Sequence, residues 1–288
     1  MTTAKQKATA SVTESTTAIT TIAIGVCATL LLGGLLGSNT LLSQETATQA
    51  QTAKQSKFFL ALFPQYVWED NLTSIYAPNM DDNDQTRLRV LDQSTLDPDY
   101  IMAAQNLSGA AGVTFKSSEA IVENAQRVKR LGFDFIEFNL ERGLSPESDS
   151  NNVVSAMKTA ADATHAHGLK FRAIPSRGFT TDYGSQIAPL VDYYHIQAQT
   201  LQDDGVKAYS DFVHTQVAEL KSANPNLIIS VQVSIRQGNA PDLSLLETMQ
   251  QCVDSVMDVV DGVTVWFGRD GLDTLKPFVE WYNNKYNT

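Results

Sequence analysis

Glu137, Asn139 and Glu141 stand at every second position of residues 132–142, GFDFIEFNLER. Side chains of an extended chain alternate between faces, so Phe135, Glu137, Asn139 and Glu141 share one face and Ile136, Phe138 and Leu140 the other. Two carboxylates and an amide on the polar side of a strand are groups suited to general acid and base chemistry. The polar or aromatic member of each later strand end extends the set: Arg172 and Ser176, then His195, Gln197 and Gln199, then Gln232 and Ser234, then Thr264 and Trp266. Any one such glutamine reads as a satisfied buried amide. Five successive strands presenting polar or aromatic groups on one face read as a wet pocket, because a purely structural barrel fills its inward layers with branched apolar residues. Amides and a guanidinium hydrogen-bond hydroxyls, an indole stacks on the C–H face of a sugar, and carboxylates beside an anomeric centre supply acid and base. Carbohydrate is the ligand class these residue types point to. Glu141, Asn139 and Glu137 are the catalytic candidates, and Arg172, His195, Gln197, Gln199, Gln232 and Trp266 the substrate-binding ones.

Such a set needs a scaffold that aims many strand ends at one place. Apolar runs and period-two stretches predict strands over residues 57–63, 87–91, 111–115, 133–141, 169–175, 191–199, 227–234 and 262–267. Period-3.6 patterns predict helices over residues 117–130, 152–167, 206–223, 243–259 and 272–286, with Ser117 a cap for the first and Gly168 the end of the second. The segment carrying Arg177, Gly178, Asp182 and Gly184 reads as a loop. Strands alternating with helices give a parallel sheet of the α/β class, and eight of them give a (β/α)8 TIM-type barrel with its site at the C-terminal strand ends. An open doubly wound sheet is the alternative, although no Gly-rich phosphate loop follows any strand.

Residues 132–141 resemble the signature of family 18 glycoside hydrolases, the chitinases and related endo-glucosaminidases, in which the fourth barrel strand reads D-G-x-D-x-D-x-E. Asp134, Glu137, Asn139 and Glu141 occupy its four acidic positions, two of them altered. The resemblance implies that Glu141 protonates the leaving glycosidic oxygen. It also implies that Asn139 takes the place of the Asp that orients the substrate's N-acetyl group, as in the similar Asn-x-Glu pair of family 85. Glu137 would then tune Glu141 as a neighbouring like charge. Residues 191–199 resemble the sixth strand of the family, but Gln197 and Gln199 replace its Met-x-Tyr pair. Residues 262–266 resemble the eighth, whose tryptophan floors the sugar subsite. A second pattern runs through Asn139-x-Glu141, Ser145-Pro146, His165 to Leu169, the Ile196 to Gln199 tetrapeptide IQAQ, and Ala223-Asn224-Pro225. It is similar to a group of secreted bacterial and archaeal proteins and implies no particular activity.

The chain has 288 residues, 43% hydrophobic and 18% charged, enough for one large core or two small ones. A net charge of −11 argues against a nucleic-acid partner, because no basic stripe is present to neutralise phosphates. The two cysteines, Cys27 and Cys252, form no disulfide framework or metal spacing. His165 and His167 stand two apart on a helical pattern and cannot share a face. Asp81, Asn83 and Gln85 lack the Gly and Glu of a calcium loop. No metal or cofactor is expected.

Residues 18–37 are uncharged and mostly apolar, and about 20 such residues span a bilayer core. Lys5 and Lys7 precede the run and no Lys or Arg follows before Lys54, so the positive-inside bias puts everything after it outside. The expected organisation is a cytoplasmic tail and signal-anchor segment over residues 1–44, a flexible linker over 45–56 and a barrel over 57–288, single-pass in the cell membrane. A cleaved signal peptide is the alternative, with Gly37-Ser38-Asn39 as a passable site. The triplets Asn71-Leu72-Thr73 and Asn106-Leu107-Ser108 match the glycosylation acceptor pattern and fit an outside location.

Overall fold

A computed structural model describes residues 59–64, 85–89, 109–267 and 271–286. Eight strands follow one another in chain order: β1 (Phe59–Pro64), β2 (Gln85–Arg89), β3 (Ala110–Phe115), β4 (Phe135–Leu140), β5 (Lys170–Pro175), β6 (Tyr193–Ile196), β7 (Ile228–Ser234) and β8 (Gly262–Phe267). Each pairs in parallel with the next, and β1 pairs with β8, which closes the barrel. The described helices are α1 (Ser118–Arg130), the single turn α2 (Glu147–Asn151), α3 (Val153–Ala166), α4 (Arg177–Ile187), α5 (Val206–Ala223), α6 (Leu245–Asp254) and α7 (Leu272–Tyr286). The α/β TIM-barrel-like fold expected from the alternation is present. The barrel lies in the compact unit Gln51–Thr288. The apolar run 18–37, the whole of the linker 45–56 and both glycosylation triplets lie outside the described residues. No described helix is long and apolar enough to cross a membrane.

Period two divides the strands as their side chains require. Ile136, Phe138, Phe171, Tyr194, Ile196, Val231 and Val265 turn outward and are fully buried against the helices in one apolar shell. Cys252 joins that shell as a small apolar residue, and burial pushes its thiol up to about 12. Helix starts follow local chemistry: the Ser117 hydroxyl accepts from the Ala120 N–H, and Ser244 with Glu247 forms a capping box on α6.

Helix α4 is a correction, since Arg177, Gly178, Asp182 and Gly184 were expected in a loop. Two glycines and two threonines give this segment poor intrinsic propensity. Tertiary packing overrides it by burying Phe179, Thr180, Gly184 and Ile187. Gly184 is there for approach: a Cβ would lie 3.3 Å from Leu220 of α5. Strand β6 is also shorter than residues 191–199, ending at Ile196.

Among the described residues, the N-terminal end of the barrel is fastened by a device used three times. Asp134, Asp192 and Asp261 each precede an even-numbered strand, and the backbone N–H of each donates to the carbonyl of Ala111, Phe171 or Ile229 on the strand before. Each carboxylate accepts the N–H of that same residue, at 2.8, 2.9 and 2.9 Å. Asp192 also receives Lys170 Nζ at 2.7 Å and lies 2.8 Å from His165 Nε2, so this histidine belongs to a strand clamp. Burial opposes ionisation of Asp192, but the hydrogen bonds from Lys170, the Phe171 amide and His165 outweigh it and hold its carboxyl below the usual carboxylate range.

A folded-state pKa below the unfolded one gives stability that is full above the ordinary carboxylate range and lost as pH falls through it. Asp192→Asn should cost roughly 1–2 kcal/mol at neutral pH. The gap in melting temperature between wild type and variant should narrow from about pH 5 to pH 3. Parallel melting curves across that range would remove Asp192 from this role.

Candidate active site

The barrel interior is layered along its axis. In the middle layer Arg172 Nη1 on β5 donates to Glu137 Oε1 on β4 at 2.8 Å, and both side chains are fully buried. Thr114 on β3 donates its hydroxyl to the other carboxylate oxygen. The rings of Phe135 and Tyr193 lie 4.7 and 5.0 Å from the guanidinium carbon of Arg172. Gly112 makes room for this arrangement, since a Cβ there would come within 1.9 Å of the Phe135 ring. Across the barrel His195 Nε2 donates to Gln232 Oε1 at 2.8 Å. Its Nδ1 lies 3.0 Å from the Ser230 hydroxyl and 3.3 Å from that of Thr264.

Three residues expected to meet substrate, Glu137, Arg172 and His195, are therefore fully buried and held by protein partners, while Gln232, bonded to His195, is 8% exposed like Asn139. Glu137 is matched by Arg172, so it does not act on Glu141 as an uncompensated like charge.

The upper layer holds the rest. Asn139 is 8% exposed, and Glu141, one residue past the end of β4, is partly exposed. Exposure thus rises along the polar face of β4 from Glu137 to Glu141. Gln197, one residue past β6, reaches across: its Nε2 lies 3.0 Å from Asn139 Oδ1, 3.4 Å from Glu141 Oε1 and 3.4 Å from the Ile174 carbonyl. An amide nitrogen has two hydrogens for these three acceptors. The Asn139 bond takes one, and Glu141 shares the other at long range. The Glu141 carboxylate is therefore loosely held.

Two residues that sequence patterning did not single out fix this corner. Ser145 accepts the Glu141 N–H and donates to the Asn139 carbonyl, both at 3.1 Å, and so sets the turn that leaves β4. Gln202 pairs with both backbone groups of Ser234, accepting its N–H at 2.7 Å and donating to its carbonyl at 3.0 Å, which ties the turn after β6 to the end of β7. Ser145 was visible only as part of a Ser-Pro turn, and a turn glutamine such as Gln202 carries no periodic signal.

Gln199 lies in a 3-10 turn (Gln199–Leu201) rather than on a strand. Its Oε1 is buried with no hydrogen-bond partner, and so is Trp266 Nε1 near the end of β8. The Arg236 guanidinium stands 5.7 Å above the Trp266 ring. Among the described residues no group of three or more His, Cys, Asp or Glu side chains could hold a metal ion. The structure brings Glu141, Asn139 and Gln197 into contact and places Gln199 and Trp266 at the same end of the barrel.

No family model and no curated protein matches the sequence. Solved structures resemble the fold. A family 18 chitinase from Crocus vernus aligns over 80% of this chain and 98% of its own at 14% identity, with a TM-score of 0.53. A chitinase from Chromobacterium violaceum aligns over 77% and 98% at 15% identity, with a TM-score of 0.52. A sugar phosphate isomerase/epimerase from Parabacteroides distasonis aligns over 83% and 98% at 9% identity, with a TM-score of 0.51. At these identities the likeness is one of fold, shared by enzymes of different chemistry, and it makes the chain similar to TIM barrels at large.

Proposed function

We propose that the C-terminal mouth of the barrel binds an N-acetylated glycan and cleaves its glycosidic bond with Glu141 as acid and base. The observation that carries this reading is the Glu141–Gln197–Asn139 contact. It holds a partly exposed carboxyl two residues from an amide on one strand face. Glu141 protonates the leaving glycosidic oxygen. The carbonyl oxygen of the substrate's own acetamido group attacks the anomeric carbon and closes a cyclic oxazolinium. Glu141, now a carboxylate, takes a proton from water as that water opens the ring, so configuration is retained. Asn139 orients the acetamido group, and Glu137 with Arg172 holds β4 and β5 in register below it. Two of the fold neighbours are chitinases, which agrees with this assignment.

One observation favours a second reading, a barrel that binds glycan without cleaving it. Gln197 engages the oxygen of Asn139, and it and Gln199 stand where the resembled family has its Met-x-Tyr pair, so the tyrosine that assists the acetamido group is absent.

Glu141→Gln should lower hydrolysis of N-acetylglucosamine oligomers by roughly 10³-fold or more while affinity stays within about threefold. Undiminished hydrolysis by the variant rejects Glu141 as the acid. Saturable quenching of tryptophan fluorescence by a wild-type protein that hydrolyses nothing selects the binding-only reading. The absence of both leaves an inert envelope barrel.

The same reading puts the barrel outside the cell, tethered through residues 18–37. Full-length chain should stay in the membrane pellet after alkaline wash, and protease added outside should degrade the barrel. A soluble chain beginning after about residue 37 would mean a cleaved signal instead.

A further inference from the structure

Beside the mouth, the turn that leaves β4 encloses a second hollow of about 500 Å³, lined by Arg142, Gly143, Ser145, Glu147, Ser150 and Asn151. That volume lies within the range of small-molecule sites. It adjoins the backbone of Glu141: Leu144 and Ser145 donate their N–H groups to the Glu141 carbonyl at 3.2 and 2.9 Å, and the hydroxyl of Ser145, which lines the hollow, accepts the Glu141 N–H. Two features mark it as more than a surface dent. The Ser150 hydroxyl oxygen is buried with no hydrogen-bond partner, a state that buried polar atoms of folded proteins rarely show. Arg142, though exposed, is anchored by its guanidinium 5.1 Å above the Phe179 ring of α4, which limits the freedom it would lose on binding.

The lining chemistry is mixed. A guanidinium alone would select an anion, and a carboxylate alone a cation; Arg142 and Glu147 together match neither. With two hydroxyls and the Asn151 amide they offer both donors and acceptors, which a neutral polyhydroxylated unit satisfies.

We propose that this hollow is a subsite for a further sugar unit of the chain bound at the mouth, on the side of Glu141 reached over Ser145. The proposal rests on the carbohydrate reading above. A ligand of two units then engages the mouth alone, and a longer one also fills the hollow.

The test is titration of full-length protein in detergent with N-acetylglucosamine oligomers of two and of five units, for wild type, Ser150→Ala and Asn151→Ala. The wild type should bind the pentamer at least about tenfold more tightly than the dimer. Each variant should lose roughly three- to tenfold on the pentamer, as expected for one lost hydrogen bond, and less than about twofold on the dimer. Filling the hollow with Ser150→Leu gives a second route to the same loss, and unchanged melting of the variants shows that folding is intact. Wild-type length dependence retained in all three variants overturns the subsite and leaves the mouth assignment standing. Failure of the wild type to bind either oligomer overturns both.

Discussion

Glu137 and Arg172 form an ion pair at 2.8 Å with no exposure on either side, and the interior of the barrel is arranged around it. Removing two charges from water costs several kcal/mol per ion unless hydrogen bonds and position restore what solvent supplied. Here Thr114 bonds the second carboxylate oxygen, and two aromatic rings stand over the guanidinium. The pair also enforces register. A one-residue slip of β4 against β5 would turn Glu137 into the apolar shell beneath the helices, where nothing could match its charge. With this layer filled by charge and rings, space that water or a ligand could enter begins only at Asn139.

The two ends of the barrel divide the labour. At the N-terminal end, Asp134, Asp192 and Asp261 each lock a pair of strands through one backbone N–H and one carboxylate oxygen. The clamps come from odd–even strand pairs, β3 with β4, β5 with β6, and β7 with β8, which is the spacing of a twofold unit within the barrel. Strands fastened at one end need less from their other ends. The turns after β4 and β6 are then free of that task, in keeping with the separation of stability and chemistry between the faces of such barrels.

Much of this was legible in the sequence, and what was not has a physical reason. Period two placed Glu137, Asn139 and Glu141 on one face because side chains must alternate, and the order of strands and helices gave the barrel. Periodicity names a face but not a depth. Glu137, Arg172 and His195 carry the same pattern as Asn139 and Gln197 yet are fully buried, with partners on neighbouring strands far away in sequence. Helix α4 was hidden because its stability comes from burying Phe179 and Ile187, with Gly184 admitting Leu220, and not from its own propensities. The aspartate clamps left a trace that patterning by hydrophobicity passes over, an Asp directly ahead of β4, β6 and β8, and the sequence repeats it with Asp84 ahead of β2.

Buried polar atoms in folded proteins almost always have partners, so the places where they do not are informative. Gln199 Oε1, Trp266 Nε1 and Ser150 Oγ all lack one, and all three belong to segments at or beyond the C-terminal strand ends. They also make opposite demands. The glutamine oxygen can only accept and the indole N–H can only donate, while the serine hydroxyl can do either. A carboxylate or phosphate ligand would answer the indole and repel the glutamine oxygen; an ammonium would do the reverse. A hydroxyl donates and accepts at the same oxygen, so a ligand dense in hydroxyls is the kind that meets all three demands, and the net charge of −11 further disfavours an anionic one. That is the ligand chemistry which the proposed glycan reading requires.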